Sequence, residues 1–272
     1  MAILDEYETL LERLRRQPKT VKNFHNAAKR FSSWCEERGV DPNAPDPRFV
    51  EEYFLEPTLA VSTRGIHLTQ LRAAFKYAMR RGVIDYDPTV DVILPRQPDT
   101  TPRTIPNKYL RTAQENCTSD EQLLLFRIAA FTGCRAFEIR KMRWQDVDLA
   151  MKTLEVIGKF GKRRLIPIHP ALGEILAECA QEPGDLIFPG HAGREAHHAT
   201  MDERIGKIIP TYTFHDFRRT VASSLDANGV GLSEIDEIMG WAPKTVFARH
   251  YRRVAPERLQ QAILKLYADD PL

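Results

Sequence analysis

A proline-rich stretch near the middle of the 272-residue chain separates two parts of different character. The residues between Leu94 and Asn107 combine proline with Thr, Asp, Arg and Gln, which is the composition of a semi-rigid linker. The prolines are Pro95, Pro98, Pro102 and Pro106. The sequence therefore predicts one domain at 1–94, a linker at 95–106 and a second domain at 107–272.

The first part shows the periodicity of four helices. Apolar residues recur at helical spacing over about 3–14 and 21–35, Asp46 before Pro47 opens a third helix, and a fourth runs from about 62 to 81. The side chains that the fourth helix is predicted to turn inward are Leu68, Leu71, Phe75, Ala78 and Met79. The basic residues that repeat every four positions on another face are Arg72, Lys76 and Arg80. This basic stripe either tracks the phosphates of a nucleic acid or only keeps the helix soluble.

The second part is mixed. A helix at about 119–131 ends in a break at Gly133, a short helix runs on to Met142, and alternating segments at 153–157 and 164–168 predict a hairpin with a basic tip at 158–162. Helices are predicted at about 170–180, 201–209, 215–228, 232–239 and 256–268. The predicted fold class is mainly α, with a small antiparallel β-sheet in the C-terminal domain.

Charge and hydropathy limit the partners of the chain. The net charge is only +2, but Lys and Arg dominate 127–164 and acidic residues dominate 165–203, so a polyanion is expected to bind one face. No apolar run is long enough for a membrane span, and the acidic start does not resemble a signal peptide. We therefore expect a cytoplasmic protein.

Metal and disulfide sites find no support in the sequence. The four cysteines lie far apart and form no C-x-x-C pair. His191, His197 and His198 occupy an acidic loop without a matching cysteine or carboxylate motif, and we expect them to be exposed to solvent. No cofactor or metal is expected.

Arg135 follows the helix break, just after a strongly apolar segment at 123–131. Such a segment predicts a buried helix that delivers Arg135 to an interior cleft, where a guanidinium requires an anion. Glu138, three residues on, either supplies that anion alone or orients Arg135 toward a bound one.

The segment at 213–218 predicts a helix start with two anion-binding groups. Thr213 and Asp216 form a capping-box pattern that places His215 in the first turn, where free amide protons attract anions. Arg218 lies on the same face as His215, so both side chains can grip the oxygens of one phosphate. The plainer alternative is a surface histidine beside an arginine in a salt bridge.

Two further residues stand in basic surroundings. Lys159 lies in the hairpin tip, where a flexible loop can bring an ammonium to a leaving-group oxygen. Its basic neighbours are Lys162, Arg163 and Arg164. Tyr251 is flanked by three arginines, whose charges favour a phenolate and attract phosphate. The alternatives are a basic tip without chemistry and an ordinary half-buried tyrosine.

Four segments, taken in order, resemble the motifs of the tyrosine recombinases, the family of the phage integrases and of the Xer and Cre recombinases. They are TGCRAFEIRKMRWQDVDL at 132–149, IGKFGKRRLIPI at 157–168, HDFRRT at 215–220 and MGWAPKTVFARHYRR at 239–253. Each match alone is modest, but the four stand in the family's order after a helical part and a linker. The resemblance implies a two-domain architecture, with a helical core-DNA-binding domain followed by a mixed α/β catalytic domain.

The resemblance also implies an activity, namely site-specific DNA recombination through a 3′-phosphotyrosyl intermediate with neither metal nor ATP. Arg135 and Arg218 are then expected to bind the scissile phosphate, and Tyr251 to attack it. Lys159 is expected to protonate the departing 5′-oxygen, and His215 to assist proton transfer from the tyrosine. Glu138 has a supporting role beside Arg135.

Two positions depart from the commoner pattern of the family. Trp241 stands where most members have the histidine of a G-H motif, and we expect its indole to pack and donate a hydrogen bond near the phosphate. The tyrosine follows ten positions later, whereas many relatives place it nine on, where His250 stands here. Because histidine cannot form a phosphotyrosine, Tyr251 is retained as the nucleophile.

The partner that the resemblance implies is a double-stranded DNA recombination site. The residues expected to contact DNA outside the catalytic set are Arg72, Lys76, Arg80, Lys162 and Arg163. Relatives assemble four subunits on two sites, and an apolar stripe on the final helix is expected to dock on a neighbouring protomer. The stripe consists of Leu259, Ile263, Leu266 and Tyr267. Packing of this stripe within its own chain is the alternative.

Three other functions stay open at this point. A type IB topoisomerase uses similar Arg, Lys, His and Tyr chemistry, but relaxes supercoils as a monomer and needs no paired sites. A catalytically inactive DNA-binding regulator of the same fold is disfavoured because all six catalytic-type positions are filled. A metal-dependent nuclease is disfavoured because no acidic metal cluster is evident.

Overall fold

Two separate hydrophobic cores divide the chain into two units, Met1–Thr100 and Thr101–Leu272. The structure is a computed structural model that describes residues 2–96, 103–241, 254–270 and 272. The middle of the predicted linker, at 97–102, lies outside the described residues, and so does Tyr251 with its flanking arginines and His250.

The N-terminal unit is built from helices, as predicted. They are α1 (Ile3–Arg13), α2 (Pro18–Glu36), α3 (Pro47–Leu55) and α4 (Val61–Arg80). The carboxylate of Asp46 caps α3 by accepting a hydrogen bond from the backbone N–H of Arg48, and Pro47 fits the first turn because that turn needs no backbone donor. Aromatic side chains fill the core, where Phe31 packs edge-on against Tyr53 and Phe75.

Helix α4 presents its predicted apolar face to this core, with one exception. Leu68, Leu71, Phe75 and Ala78 are buried. Met79 is 41% exposed, so its predicted inward position is wrong. The last turn of α4 extends to the edge of the core, where Ala78 already takes the inward position.

Only part of the basic stripe on α4 is available to bind another molecule. The guanidinium of Arg72 donates to the side chain of Thr89 at 3.3 Å and to its carbonyl oxygen at 2.7 Å, which ties α4 to the segment that follows it. Lys76 and Arg80 are exposed.

The C-terminal unit surrounds α6 (Asp120–Thr132), a helix that is buried over most of its C-terminal two thirds and packs against several of its neighbours. The other helices are α5 (Asn107–Glu115), α7 (Ala136–Ile139), α8 (Pro170–Glu178), α9 (His198–Ile208), α10 (Phe214–Ala227), α11 (Leu232–Met239) and α12 (Pro256–Leu264). Helix α5 is absent from the predictions because most of its nine residues are polar and only Leu110 and Ala113 are buried, which leaves too few apolar positions to recognise a helix.

A three-stranded antiparallel sheet accompanies these helices, so the predicted fold class is correct. Its strands are β1 (Val147–Asp148), β2 (Thr153–Ile157) and β3 (Arg163–Pro167), in that spatial order. The predicted hairpin is confirmed, with β3 starting one residue earlier than expected and Ile157 paired with Arg163. Strand β1 was not predicted, because two residues carry no detectable alternation.

The final helix packs within its own unit, which corrects the expectation that its apolar stripe docks on a neighbouring protomer. Leu259 and Ile263 of α12, and Leu266 and Tyr267 just beyond its end at Leu264, are all buried in the core of the C-terminal unit. The Tyr267 hydroxyl donates to the carbonyl oxygen of Ala130 at 2.9 Å, and its ring packs edge-on against Phe131. Helix α6 thus provides, in the same chain, the apolar surface that this stripe requires.

The described ranges contain no helix long and apolar enough to cross a membrane.

Candidate active site

The break after α6 carries Arg135 to the start of α7. Gly133 ends α6 in the left-handed conformation, as the sequence predicts, with φ of 60°. A Cβ atom at Gly133 would lie 3.0 Å from Cε of Met239 and 3.3 Å from Cβ of Val221, so α10 and α11 pack directly against this turn. Arg135 is the N-cap residue of α7 and its side chain is 30% exposed.

Helix α10 supplies Arg218 from the other side. Asp216 accepts a hydrogen bond from the backbone N–H of Thr213 at 2.9 Å, which confirms the predicted cap. Arg218 is only 5% exposed. Its guanidinium donates to the carbonyl oxygen of Gly133 at 2.9 Å and to that of Met239. No Asp or Glu in the described part of the chain forms an ion pair with it.

Burial and, after it, the charge of the neighbouring Arg135 together lower the pKa of Arg218 to about 10. The side chain therefore remains cationic at neutral pH. A buried cation with carbonyl partners and no carboxylate is an incomplete pair, and an anion bound beside it would be strongly favoured.

Glu138 is the buried carboxylate of this site, and four N–H groups surround it. Arg135 donates its backbone N–H to Oε2 at 2.9 Å and its Nη1 to Oε1 at 3.1 Å. Arg164 donates Nη1 to Oε1 at 2.9 Å and Nη2 to Oε2 at 3.0 Å. Burial raises the pKa of Glu138, but the hydrogen bonds and charge of Arg164 outweigh that effect and leave the pKa below its ordinary value.

Arg164 is the residue that the sequence interpretation missed. The sequence groups it with the basic residues of the hairpin tip, yet its side chain is buried and paired with Glu138. The strand pattern contains the signal, since residues two apart on a strand share a face and Ile166 is fully buried. Arg164 therefore faces inward, and the next residue toward the tip, Arg163, faces solvent.

His215 lies in the first turn of α10 and is exposed at its surface. Desolvation lowers the pKa of His215, and the charges of Arg219, Arg135 and Arg218 lower it further. The imidazole is therefore neutral at pH 7 and able to accept a proton from a nearby group.

Trp241 follows Gly240, the residue that caps the end of α11, and its ring covers Arg218. The centre of its ring lies 5.6 Å from Cζ of Arg218, a cation–π distance, and the residue is 42% exposed. Its backbone N–H donates to the carbonyl oxygen of Asp236 at 2.9 Å, which fixes the chain at this point.

The hairpin tip is exposed. The ammonium of Lys159 lies 4.8 Å from the ring centre of Phe160, and Lys162 is exposed. Arg163 pairs with Glu155 on the adjacent strand at 2.9 Å. The tip thus carries basic groups at the surface, beside Gly158, whose position against Glu138 connects the hairpin base to the buried pair.

The structure brings Arg135, Glu138, Arg218, His215 and Trp241 together at one end of the C-terminal unit. His191, His197 and His198 are exposed, as expected, and His198 pairs with Asp202 at 2.8 Å. Across the residues that the structure describes, no group of three or more His, Cys, Asp or Glu side chains is arranged to hold a metal ion. The site is cationic, with three guanidinium groups around one carboxylate, and its chemistry suits an anionic substrate.

Comparison with known proteins identifies the family. The phage integrase family model matches residues 106–258, and the phage integrase SAM-like domain model matches residues 2–92. Tyrosine recombinase XerD of Pseudomonas aeruginosa is 23% identical over 264 residues, which cover 89% of this chain and 88% of XerD. Tyrosine recombinase XerC of Bacillus subtilis is 28% identical over 251 residues, which cover 81% of each chain.

Solved structures share the fold. A lambda integrase tetramer bound to a Holliday junction matches with a TM-score of 0.69 and 20% identity, over 93% of this chain and 79% of that one. The integrase of transposon Tn1549, in complex with circular intermediate DNA, matches with a TM-score of 0.70 and 16% identity, over 96% and 98% of the two chains. The chain therefore belongs to the phage integrase family, the family of the tyrosine recombinases.

Proposed function

We propose that this chain is a site-specific DNA recombinase that cleaves and rejoins DNA strands through a covalent bond between Tyr251 and a 3′-phosphate. The observation that carries the proposal is the state of Arg218, a buried guanidinium held by two backbone carbonyl oxygens without a carboxylate. A phosphodiester supplies the missing anion, and Arg135 beside it supplies a second guanidinium.

The two arginines serve the transition state more than the ground state. In-line attack on a phosphodiester increases the negative charge on its non-bridging oxygens, and cations fixed before the reaction stabilise that charge without reorganising. Arg218 is fixed by the carbonyls of Gly133 and Met239, and Arg135 by Glu138. Each charge-assisted hydrogen bond contributes about 1.5 to 3 kcal/mol.

In the proposed reaction one bond to phosphorus forms as another breaks, and one proton is accepted as another is donated. The Tyr251 oxygen forms a bond to phosphorus while the bond from phosphorus to the 5′-oxygen breaks. The phenol proton passes to His215, which is neutral at pH 7, and Lys159 gives a proton to the departing 5′-oxygen. The 5′-hydroxyl of a partner strand then attacks the phosphotyrosine and reverses these steps. Because the phosphotyrosine conserves the energy of the phosphodiester, we propose that neither ATP nor a metal is needed.

Double-stranded DNA is the proposed partner for both domains, 1–94 and 107–272, with the linker at 95–106 between them. In the N-terminal domain, the exposed Lys76 and Arg80 are proposed to contact DNA, whereas Arg72 is already bound to Thr89. In the hairpin, Lys162 is proposed to contact the DNA backbone directly. Arg163 is paired with Glu155, and this ion pair would have to break before Arg163 contacts the DNA backbone.

Self-association into a tetramer on two DNA sites is part of the proposal, since one of the structures that share this fold is a lambda integrase tetramer on a Holliday junction. Because the apolar stripe at the C-terminal end is buried in its own unit, we propose that subunit contacts use other surfaces. Because its proposed substrate is DNA, we propose that the enzyme acts in the cytoplasm, associated with the nucleoid if its source is prokaryotic.

The test begins with footprinting of the protein on its source DNA to find the bound site. A duplex of that site with a nick just beyond the scissile phosphate lets the short 5′-hydroxyl fragment diffuse away, which traps any covalent adduct for denaturing electrophoresis. We expect an adduct with wild-type protein in EDTA and none with Tyr251→Phe.

Other outcomes assign other functions. Binding without an adduct identifies a DNA-binding regulator, and loss of the adduct in EDTA identifies metal-dependent chemistry. Relaxation of supercoiled DNA without strand exchange between two labelled sites identifies a type IB topoisomerase. An adduct that survives in Tyr251→Phe but not in His250→Ala moves the nucleophile to His250.

A further inference from the structure

Arg164 is held by partners from two separate segments of the chain, the turn and short helix at 134–138 and the end of α11. Its Nε donates to the carbonyl oxygen of Ile238 at 3.0 Å, in the last turn of α11. Its two terminal nitrogens donate to Glu138, and Nη2 also lies 3.7 Å from Sγ of Cys134. Because all three guanidinium nitrogens have protein partners and the side chain is only 8% exposed, Arg164 does not touch a substrate.

Two glycines allow this packing. A Cβ atom at Gly240 would lie 2.9 Å from Cδ of Arg164, and Gly240 has a left-handed φ of 63°. A Cβ atom at Gly158 would lie 3.5 Å from Oε1 of Glu138. The pair of Arg164 and Glu138 therefore lies where the α6 break, the hairpin base and the end of α11 meet.

Each of these three segments leads directly into a proposed functional residue. Arg135 follows Cys134, Lys159 follows Gly158, and Trp241 follows Gly240. The carbonyl of Met239, which accepts a hydrogen bond from Arg218, lies next to the Ile238 carbonyl that Arg164 binds. The buried guanidinium of Arg164 thus links the backbone segments that lead into Arg135, Lys159 and Trp241.

The pairing also determines how much of Arg135 is free. Because Arg164 occupies one lone pair on each oxygen of Glu138, the carboxylate engages only Nη1 and the backbone N–H of Arg135. Nε and Nη2 of Arg135 are then left for an anion. Without Arg164, the buried carboxylate would draw more of the Arg135 guanidinium onto itself.

We infer that Arg164 is a positioning residue of this recombinase, which holds Glu138 and the end of α11 so that Arg135 and Arg218 both present free N–H groups to the scissile phosphate. This inference rests on the proposed function and adds a residue to it. A lysine cannot replace Arg164, because an ammonium lacks the planar fork that binds both oxygens of Glu138 while also reaching the Ile238 carbonyl.

Single-turnover cleavage of the nicked duplex at saturating protein tests the inference, because this rate is independent of affinity for DNA. For Arg164→Lys we expect near-normal DNA affinity and a cleavage rate lowered by about 10²-fold, the size of effect that small misplacements of catalytic groups produce. Arg127→Lys is the matched control, because Arg127 is also largely buried and bound to a backbone carbonyl, that of Ala171, away from the site. Its cleavage rate should equal that of wild type.

A double-mutant cycle separates positioning from a merely structural role. If Arg164 acts through Glu138, then Arg164→Lys in a Glu138→Gln background lowers the cleavage rate little further than Glu138→Gln alone. Losses that multiply would contradict the inference, and so would a normal cleavage rate in folded Arg164→Lys.

Should Arg164→Lys fail to fold, the pair Arg164→Met and Glu138→Leu replaces it, because apolar residues of similar volume often substitute for a buried ion pair without loss of stability. We expect this variant to bind DNA and to cleave it slowly, and normal cleavage would overturn the inference. No adduct from wild-type protein refutes the proposed function itself. A wild-type adduct with normal cleavage by the folded variants refutes only the role of Arg164.

Discussion

Arg218 donates a hydrogen bond of 2.9 Å to the carbonyl oxygen of Gly133, which lies 85 positions earlier in the chain. This bond joins α10 to the turn that precedes Arg135, so the two arginines of the site share one backbone support. The same guanidinium reaches Met239 at the end of α11. Backbone carbonyl groups therefore determine the position of the Arg218 guanidinium. A side-chain substitution elsewhere on the surface does not remove these groups.

Replacement of Arg218 by lysine should affect the rate of DNA cleavage more than the stability of the fold. An ammonium cannot bind the carbonyls of Gly133 and Met239 and a phosphate with the same geometry. We expect Arg218→Lys to reduce the single-turnover cleavage rate by about 10²-fold, equivalent to one charge-assisted hydrogen bond of about 2 to 3 kcal/mol. Arg219→Lys is the control, since Arg219 is exposed and pairs only with Asp216 in the described residues. Equal rates for the two variants would contradict the assignment.

The pH dependence of cleavage should reflect the lowered pKa of His215. Desolvation and the charges of Arg219, Arg135 and Arg218 place this pKa below 6.5, so the imidazole reaches half-protonation only below pH 6.5. The rate of cleavage with limiting protein, measured from about pH 5 to 8, should therefore fall on the acid side with a midpoint below pH 6.5. The variant His215→Gln should cleave slowly and lack this acid limb. A midpoint above 6.5, or an unchanged limb in the variant, would exclude His215 as the proton acceptor.

The burial of α12 within its own unit has a consequence for stability. Ile263→Ala removes a fully buried side chain and should lower the free energy of unfolding by about 2 to 4 kcal/mol. The loss should not depend on protein concentration, because no second subunit is needed to bury the stripe. Leu264→Ala, at the exposed neighbouring position, should change the free energy of unfolding by less than about 1 kcal/mol. Denaturant unfolding at two protein concentrations decides between packing in cis and in trans.

Gly240 and Gly229 are a matched pair of positions at which alanine substitutions test the packing around Arg164. Both have a left-handed φ, but a Cβ atom at Gly240 would lie 2.9 Å from Cδ of Arg164, whereas one at Gly229 meets nothing within 4 Å. Gly229→Ala should therefore incur only the backbone strain, about 1 to 2 kcal/mol. Gly240→Ala should be less stable still by at least about 1 kcal/mol, because the new methyl group displaces Arg164. Equal free energies of unfolding would show that Arg164 adapts freely.

Features encoded by a few adjacent residues were predictable from the sequence. The left-handed end of α6 at Gly133, the cap formed by Thr213 and Asp216, and strand β2 all depend on local backbone preferences, and the structure has each of them. Helix α5 escaped prediction because its mostly polar residues leave only two buried positions.

Features that depend on distant partners were not predictable in the same way. Strand alternation indicates that Arg164 faces inward, but no local pattern shows that its partners are Glu138 and the carbonyl of Ile238. The apolar stripe of α12 was visible, but the sequence does not show whether α6 or another subunit covers it. The proximity of Arg135 and Arg218 was expected from the family resemblance, and the structure brings them together, whereas their roles at a phosphate stay predictions.

A crystal structure of Tyr251→Phe bound to its DNA site tests the central claim most directly. The measured quantities are the distances from the guanidinium nitrogens of Arg135 and Arg218 to the oxygens of the nearest phosphates. We predict that both arginines lie within about 2.7 to 3.1 Å of non-bridging oxygens on one phosphate, with the ring at position 251 behind it, opposite the 5′-oxygen. Arginines that contact two different phosphates, or a site without any phosphate, would contradict the account.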